Sequence, residues 1–189
     1  MNCIINCTDL IETCTCLIEV SEKLMILDIE TDGYNLIIQI AYIIIHGGKK
    51  IEKAYILQNW KNKTDYYGTI SIADLNKYGK HPKDVIKQVL NDYNSCDKII
   101  GHNIIFDINK IKLYADKYQY EMKKINTYDT MKESRLIVNA LNKNGGVKMP
   151  KLCEACAHFG IEIVNAHNAI GDIEATYKLY CKLKTFHTS

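Results

Sequence analysis

The stretch Lys23-Leu24-Met25-Ile26-Leu27-Asp28-Ile29-Glu30-Thr31-Asp32-Gly33 is the most informative in the chain. Its short apolar run ending in acids reads as a buried strand over Lys23–Ile29. Side chains alternate across a strand, so Asp28 and Glu30, two apart, emerge on one face. Asp32-Gly33 marks a turn, and Leu36–Ile45, rich in β-branched residues and closed by Gly47-Gly48, is a second strand. Ile51–Leu57 gives a third, and the succession predicts an antiparallel meander. The pattern then changes. Pro82 suits a first helical position, and Val85, Ile86, Val89, Leu90 and Tyr93 recur at helical spacing. Lys98–Gly101 reads as a short strand and Ile104–Tyr118 as a helix. Further helices are expected at Thr130–Leu141, Lys151–Phe159 and Ala169–Lys182, the second stopped by Gly160. Strands in series followed by alternating helices and strands predict an α/β sheet with helices on its faces.

At 189 residues the chain is long enough for one domain with a sizeable core and no disulfide staples. We divide it into a leader, residues 1–22, and a domain, residues 23–189. No apolar run approaches the roughly 20 residues that span a bilayer, and no secretory signal pattern opens the chain. The expected address is therefore intracellular, cytoplasmic by default, with no membrane partner. Eight cysteines would suit a secreted framework only in a smaller chain. Cys153 and Cys156 sit among apolar residues and read as reduced and buried. Cys153, Cys156 and His158 lack the second half-site of a zinc finger, and Cys3, Cys7, Cys14 and Cys16 are irregularly spaced. A net charge of +2 announces no polyanion partner, although a divalent metal site supplies its own local positive charge.

Three further residues bear on chemistry. Asp107 lies in Gly101-His102-Asn103-Ile104-Ile105-Phe106-Asp107, just beyond a strand and near a helix start. His167 and Asp172 are five apart, which in a continuous helix would set them about 140° apart. They converge only if His167 lies on the loop before the helix and Asp172 on its first turn. Each residue taken singly has an ordinary reading. The Asp28–Glu30 pair would be a solvated strand end, Asp107 a residue complementing a helix dipole, and His167 a surface histidine. Two adjacent carboxylates nonetheless repel unless a cation lies between them, and hard oxygen ligands suit Mg²⁺ or Mn²⁺.

In order, Leu-Asp-Ile-Glu-Thr, His-Asn-x-x-Phe-Asp and His-x-x-x-x-Asp resemble the motifs of the DEDDh family of proofreading-type 3′→5′ exonucleases. The resemblance covers Lys23 to Leu183 and includes Met149-Pro150-Lys151-Leu152 running into Phe159-Gly160-Ile161. It implies a ribonuclease-H-like three-layer fold: a mixed five-stranded sheet, three antiparallel strands then parallel ones, with helices on both faces. It also implies that Asp28, Glu30, Asp107 and Asp172 hold two divalent ions, Mg²⁺ or Mn²⁺, with His167 as general base. The implied activity is release of 5′-mononucleotides from the 3′ end of single-stranded or frayed DNA. RNA is the alternative substrate, because the motifs do not encode sugar discrimination. A non-catalytic nucleic-acid-binding or polymerase-associated module is the rival of a different class, and a polymerase is the candidate partner.

Thr31, following Glu30, is expected to line the terminal nucleotide. Asn103 is expected to brace the turn before Asp107 or touch the sugar, and Tyr34 is a candidate to stack on the last base. Phe106 reads as core. Two departures from the family pattern bear on substrate preference. Asp32 stands where relatives carry a small hydroxyl or apolar residue, and the segment from Gly33 to Ile38-Gln39-Ile40 is short. Lys49, Lys50, Lys123, Lys124, Lys143 and Lys148 read as solvated surface rather than phosphate guides.

Overall fold

A computed structural model describes residues 22–32, 34–58, 70–164 and 168–188. The expected leader therefore lies almost wholly outside the described residues. Three strands form the meander: β1 (Leu24–Thr31), β2 (Ile37–His46) and β3 (Lys49–Ile56). Helices α1 (Ile72–Tyr78) and α2 (Pro82–Tyr93) follow, then β4 (Lys98–Gly101) and α3 (Ile104–Tyr118). The chain continues through β5 (Asn126–Asp129), α4 (Thr130–Val138), α5 (Leu152–His158) and α6 (Ala169–Thr188). The sheet order is β3-β2-β1-β4-β5. β2 is antiparallel to β1 and β3, whereas β4 runs parallel to β1 and β5 parallel to β4. This is the mixed five-stranded sheet expected of the ribonuclease-H-like fold, with β1 at its centre.

Alternation along β1 sorts the core into two layers. Met25, Leu27 and Ile29 pack with Val85, Ile86 and Val89 of α2 and with Ile104 and Ile111 of α3. Leu24 and Ile26 face the other way, with Ala41 and Ile43 of β2, against Ala169, Ile173 and Tyr180 of α6. Helices thus cover both faces of the sheet. β2 is buried from Ile37 to Ile45 because both of its faces are covered, which explains its nearly unbroken aliphatic sequence.

Some elements differ from expectation. α4 ends at Val138, not Leu141, because Asn139 adopts a left-handed conformation (φ 51°) and closes the helix. The chain then turns back on itself, pairing Leu141 with Val147. α1 is set by a capping box between Ser71 and Asp74, a local signal in a stretch with little apolar periodicity. Cys156 is buried and its thiol is pushed up to about 12 by that burial, an inert side chain. Cys153 is free but exposed rather than core. Among the described residues no helix is long and apolar enough to cross a membrane.

Gly101 closes β4 at a point of close approach. A Cβ there would sit 2.6 Å from Ile104 Cδ1 and 3.0 Å from the Leu27 carbonyl oxygen. Gly101→Ala is therefore expected to push α3 from β1 and cost about 1–3 kcal/mol, read as a lower denaturant midpoint. An unchanged midpoint would show that α3 tolerates the added methyl.

Candidate metal centre

The alternation that places Leu24 and Ile26 against α6 continues along β1, so Asp28 and Glu30 emerge on the same face. A register irregularity after Glu30 ends the regular pairing with β2 at this point. α6 supplies the third acid from its first turn. Single carboxylate oxygens of Asp28, Glu30 and Asp172 all lie within 4.8 Å of one another. Residues far apart in the chain thus meet where the central strand leaves the core.

Asp107 comes from the opposite layer. The pairing of β1 with β4 stops at Ile26 and Ile100, so the end of β1 has no strand beside it on that edge. The first turn of α3 fills the gap, and Asp107 Oδ1 accepts the Ile29 N–H at 3.0 Å. Asp107 is buried and stands beside the other three acids rather than within their 4.8 Å group. Burial, followed by the charges of Asp107, Glu30 and Asp172, holds the Asp28 carboxyl well above the usual range. Burial likewise raises Asp107, against the lowering effect of the backbone N–H groups it accepts and with a further rise from Asp129 and Glu30. Asp28 Oδ2 is shut off from solvent without a hydrogen-bond partner. A buried acceptor with no donor, surrounded by like charges, fits a hard divalent cation held by carboxylate oxygens.

His167 lies outside the described residues. Thr31 is partly buried directly after Glu30. The Asn103 side chain makes no capping bond; its backbone is left-handed (φ 69°) and its N–H donates to Asp129 Oδ1 at 2.9 Å. The brace on this turn is therefore Asp129, whose Oδ1 also accepts the Met131 N–H at 3.1 Å. Tyr34 is 57% exposed on the β1–β2 turn. Asp32 builds that turn: its Oδ1 accepts the N–H groups of Tyr34 and Leu36 at 2.9 and 2.8 Å. The extra acid thus has a local job, and it explains why so short a connection holds its shape.

Phe106 is not core. It is 38% exposed at the start of α3, next to Asp107, with the Lys110 ammonium 5.3 Å from its ring centroid. Lys110 also donates to the Asn35 carbonyl at 3.2 Å, tying α3 to the β1–β2 turn. Sequence reasoning gave no role to His102, which joins three segments. Its Nδ1 lies 3.0 Å from Thr130 Oγ1, and its Nε2 lies 3.0 Å from the Pro150 carbonyl. A carbonyl only accepts, so Nε2 carries a proton, and burial lowers the pKa toward the neutral ring.

Residues 25–180 match the family model for RNase T, described as an exonuclease. The chain belongs to the RNase T exonuclease family. Among its relatives is the PolC-type DNA polymerase III of Oceanobacillus iheyensis, 25% identical over 169 residues. That of Bacillus subtilis is 26% identical over 170 residues, and each match covers 86% of this chain. The chain spans only about 11% of the length of these polymerases. Two solved exonuclease structures share the fold. One is the nuclease domain of 3′hExo, a DEDDh family member bound to rAMP, with a TM-score of 0.64 and 9% identity. It covers 89% of this chain and 94% of its own. The other, Exonuclease X in complex with 5′ overhanging duplex DNA, has a TM-score of 0.57 and 16% identity, with coverage of 88% and 93%. This RNase T family member therefore carries its acidic cluster on the fold that these two exonuclease structures share.

Proposed function

We propose that this exonuclease removes 5′-mononucleotides from the 3′ end of single-stranded or frayed DNA, through its domain at residues 23–189. The observation that carries the proposal is the convergence of Asp28, Glu30 and Asp172 beside buried Asp107, with an unpartnered oxygen in their midst. Asp28, Glu30, Asp107 and Asp172 would hold two divalent ions, Mg²⁺ or Mn²⁺. Those ions, when bound, supply positive charge that steadies the attacking and departing oxygens. His167, on the segment leading into α6, takes the proton from the attacking water. Its unperturbed pKa of about 6.5 suits that task at neutral pH. Thr31 would line the terminal nucleotide, and Asn103 would touch its sugar.

Phe106 directly precedes Asp107 and Tyr34 follows the β1 acids on the next turn, and their exposed rings would offer faces for unpaired bases. Base–aromatic stacking contributes about 1–3 kcal/mol per base. Phe106→Ala is accordingly expected to raise KM for a single-stranded oligonucleotide about tenfold or more, with kcat changing less. Equal KM values for variant and parent would remove Phe106 from the substrate path.

DNA is favoured because the polymerase relatives are DNA polymerases and Exonuclease X was solved with DNA. The same relatives make a polymerase the expected partner. The test uses 5′-labelled single-stranded DNA and RNA of one sequence, with Mg²⁺ or Mn²⁺ and with chelator. A ladder shortening from the 3′ end on DNA, abolished by chelator, is the expected result. A ladder on RNA alone would reassign the substrate. An oligonucleotide left intact but retarded on a native gel would mark a binding module instead.

A further inference from the structure

β2 reads Ile37-Ile38-Gln39-Ile40-Ala41-Tyr42, and Gln39 is an amide set within an aliphatic strand that is covered on both faces. It is 4% exposed. A buried amide is costly unless it is hydrogen-bonded. Its Oε1 accepts the N–H of Ala169, the first residue of α6, at 3.2 Å and from a position 130 residues away in sequence. Gln39 pairs in register with Glu30, so the two side chains share the face that receives α6.

Like charge gives this contact its importance. Asp28, Glu30 and Asp172 hold oxygens within 4.8 Å of one another, and their repulsion pushes the start of α6 away from the sheet. Ala169 lies one turn before Asp172. Asn168 satisfies the next donor within its own segment, accepting the Ile170 N–H at 3.0 Å. The Gln39 bond, in contrast, ties the helix start to the strand beside Glu30. We infer that Gln39 is a positioning residue that fixes the first turn of α6 against β1, and so sets the geometry in which Asp172 joins Asp28 and Glu30 around a divalent ion. The inference rests on the metal-binding reading of these acids given above.

The test compares Gln39→Met and Gln39→Asn with the parent, measuring Mn²⁺ binding by calorimetry and the rise in Tm that Mn²⁺ produces. Met keeps the length without the acceptor, and Asn keeps the amide but falls short. Groups that orient metal ligands typically change metal affinity about 10–100-fold. Met and Asn are each expected to weaken Mn²⁺ binding at least about tenfold and to shrink the Mn²⁺-induced Tm rise, on top of the fall in Tm in chelator that the unsatisfied Ala169 N–H brings. A fall in Tm in chelator with unchanged Mn²⁺ affinity in Met and Asn would make Gln39 an ordinary buried hydrogen bond and overturn the inference. If Met alone fails to fold, Asn decides. A parent protein that takes up no Mn²⁺ would instead overturn the metal-binding reading itself.

Discussion

Asp28→Asn is expected to yield a protein that resists denaturation better than its parent in chelator, yet cleaves DNA more than about 100-fold more slowly. Loss of a group that merely orients a ligand costs about 10–100-fold, and a direct ligand contributes more. The stability gain follows from the surroundings. Asp28 is partly buried, with one oxygen shut off from solvent, and its charge is opposed first by that burial and then by Asp107, Glu30 and Asp172. Asparagine fills the same space without the charge.

The pH dependence has a definite sign. Because the folded pKa of Asp28 is raised, the folded state binds the proton more tightly than the unfolded chain, where the value is about 3.9. Metal-free stability contributed by this group therefore falls as pH rises from the unfolded toward the folded pKa. The Asn variant should flatten that slope. Denaturation in chelator across pH, beside single-turnover cleavage in Mg²⁺, measures both effects. A variant that cleaves like its parent would remove Asp28 from the metal ligands.

His167→Ala should lower kcat by about 10²–10⁴, the usual contribution of a positioned general base. Unlike Asp28→Asn, it should leave Mn²⁺ affinity close to the parent value, because the imidazole handles a proton and not the ion. The parent rate should decline on the acid side of about pH 6.5 as the base becomes protonated, and that limb should vanish in the variant. Retention of both rate and limb would assign the base to another residue.

The acids differed in how far they could be read from sequence, and the reason is distance along the chain. Asp28 and Glu30 were legible because strand alternation alone puts them on one face. The approach of Asp172 needed the motif, since a helix start more than a hundred residues on carries no local sign of its partner. Asp129 and Gln39 gave no sign at all: each acts through a backbone N–H that only the folded chain brings near. β5 was unplaced because Asn126-Thr127-Tyr128-Asp129 has neither an apolar run nor alternation. Phe106 reads as core because Ile104 and Ile105 before it suggest a buried helix start, whereas only Ile104 of the three is buried. Asp32 looked like an extra acid at the site, whereas its bonds to Tyr34 and Leu36 make it a turn residue.

The central strand precedes, along the chain, the helix that packs on its acidic face. Chains emerge N-terminus first and domains fold as units. A growing or prematurely ended chain would thus carry Asp28, Glu30 and Asp107 with no Asp172 to meet them. On the proposed function, cleavage would wait for α6 to dock on this face, so a chain whose α6 has not docked would leave nucleic acid intact.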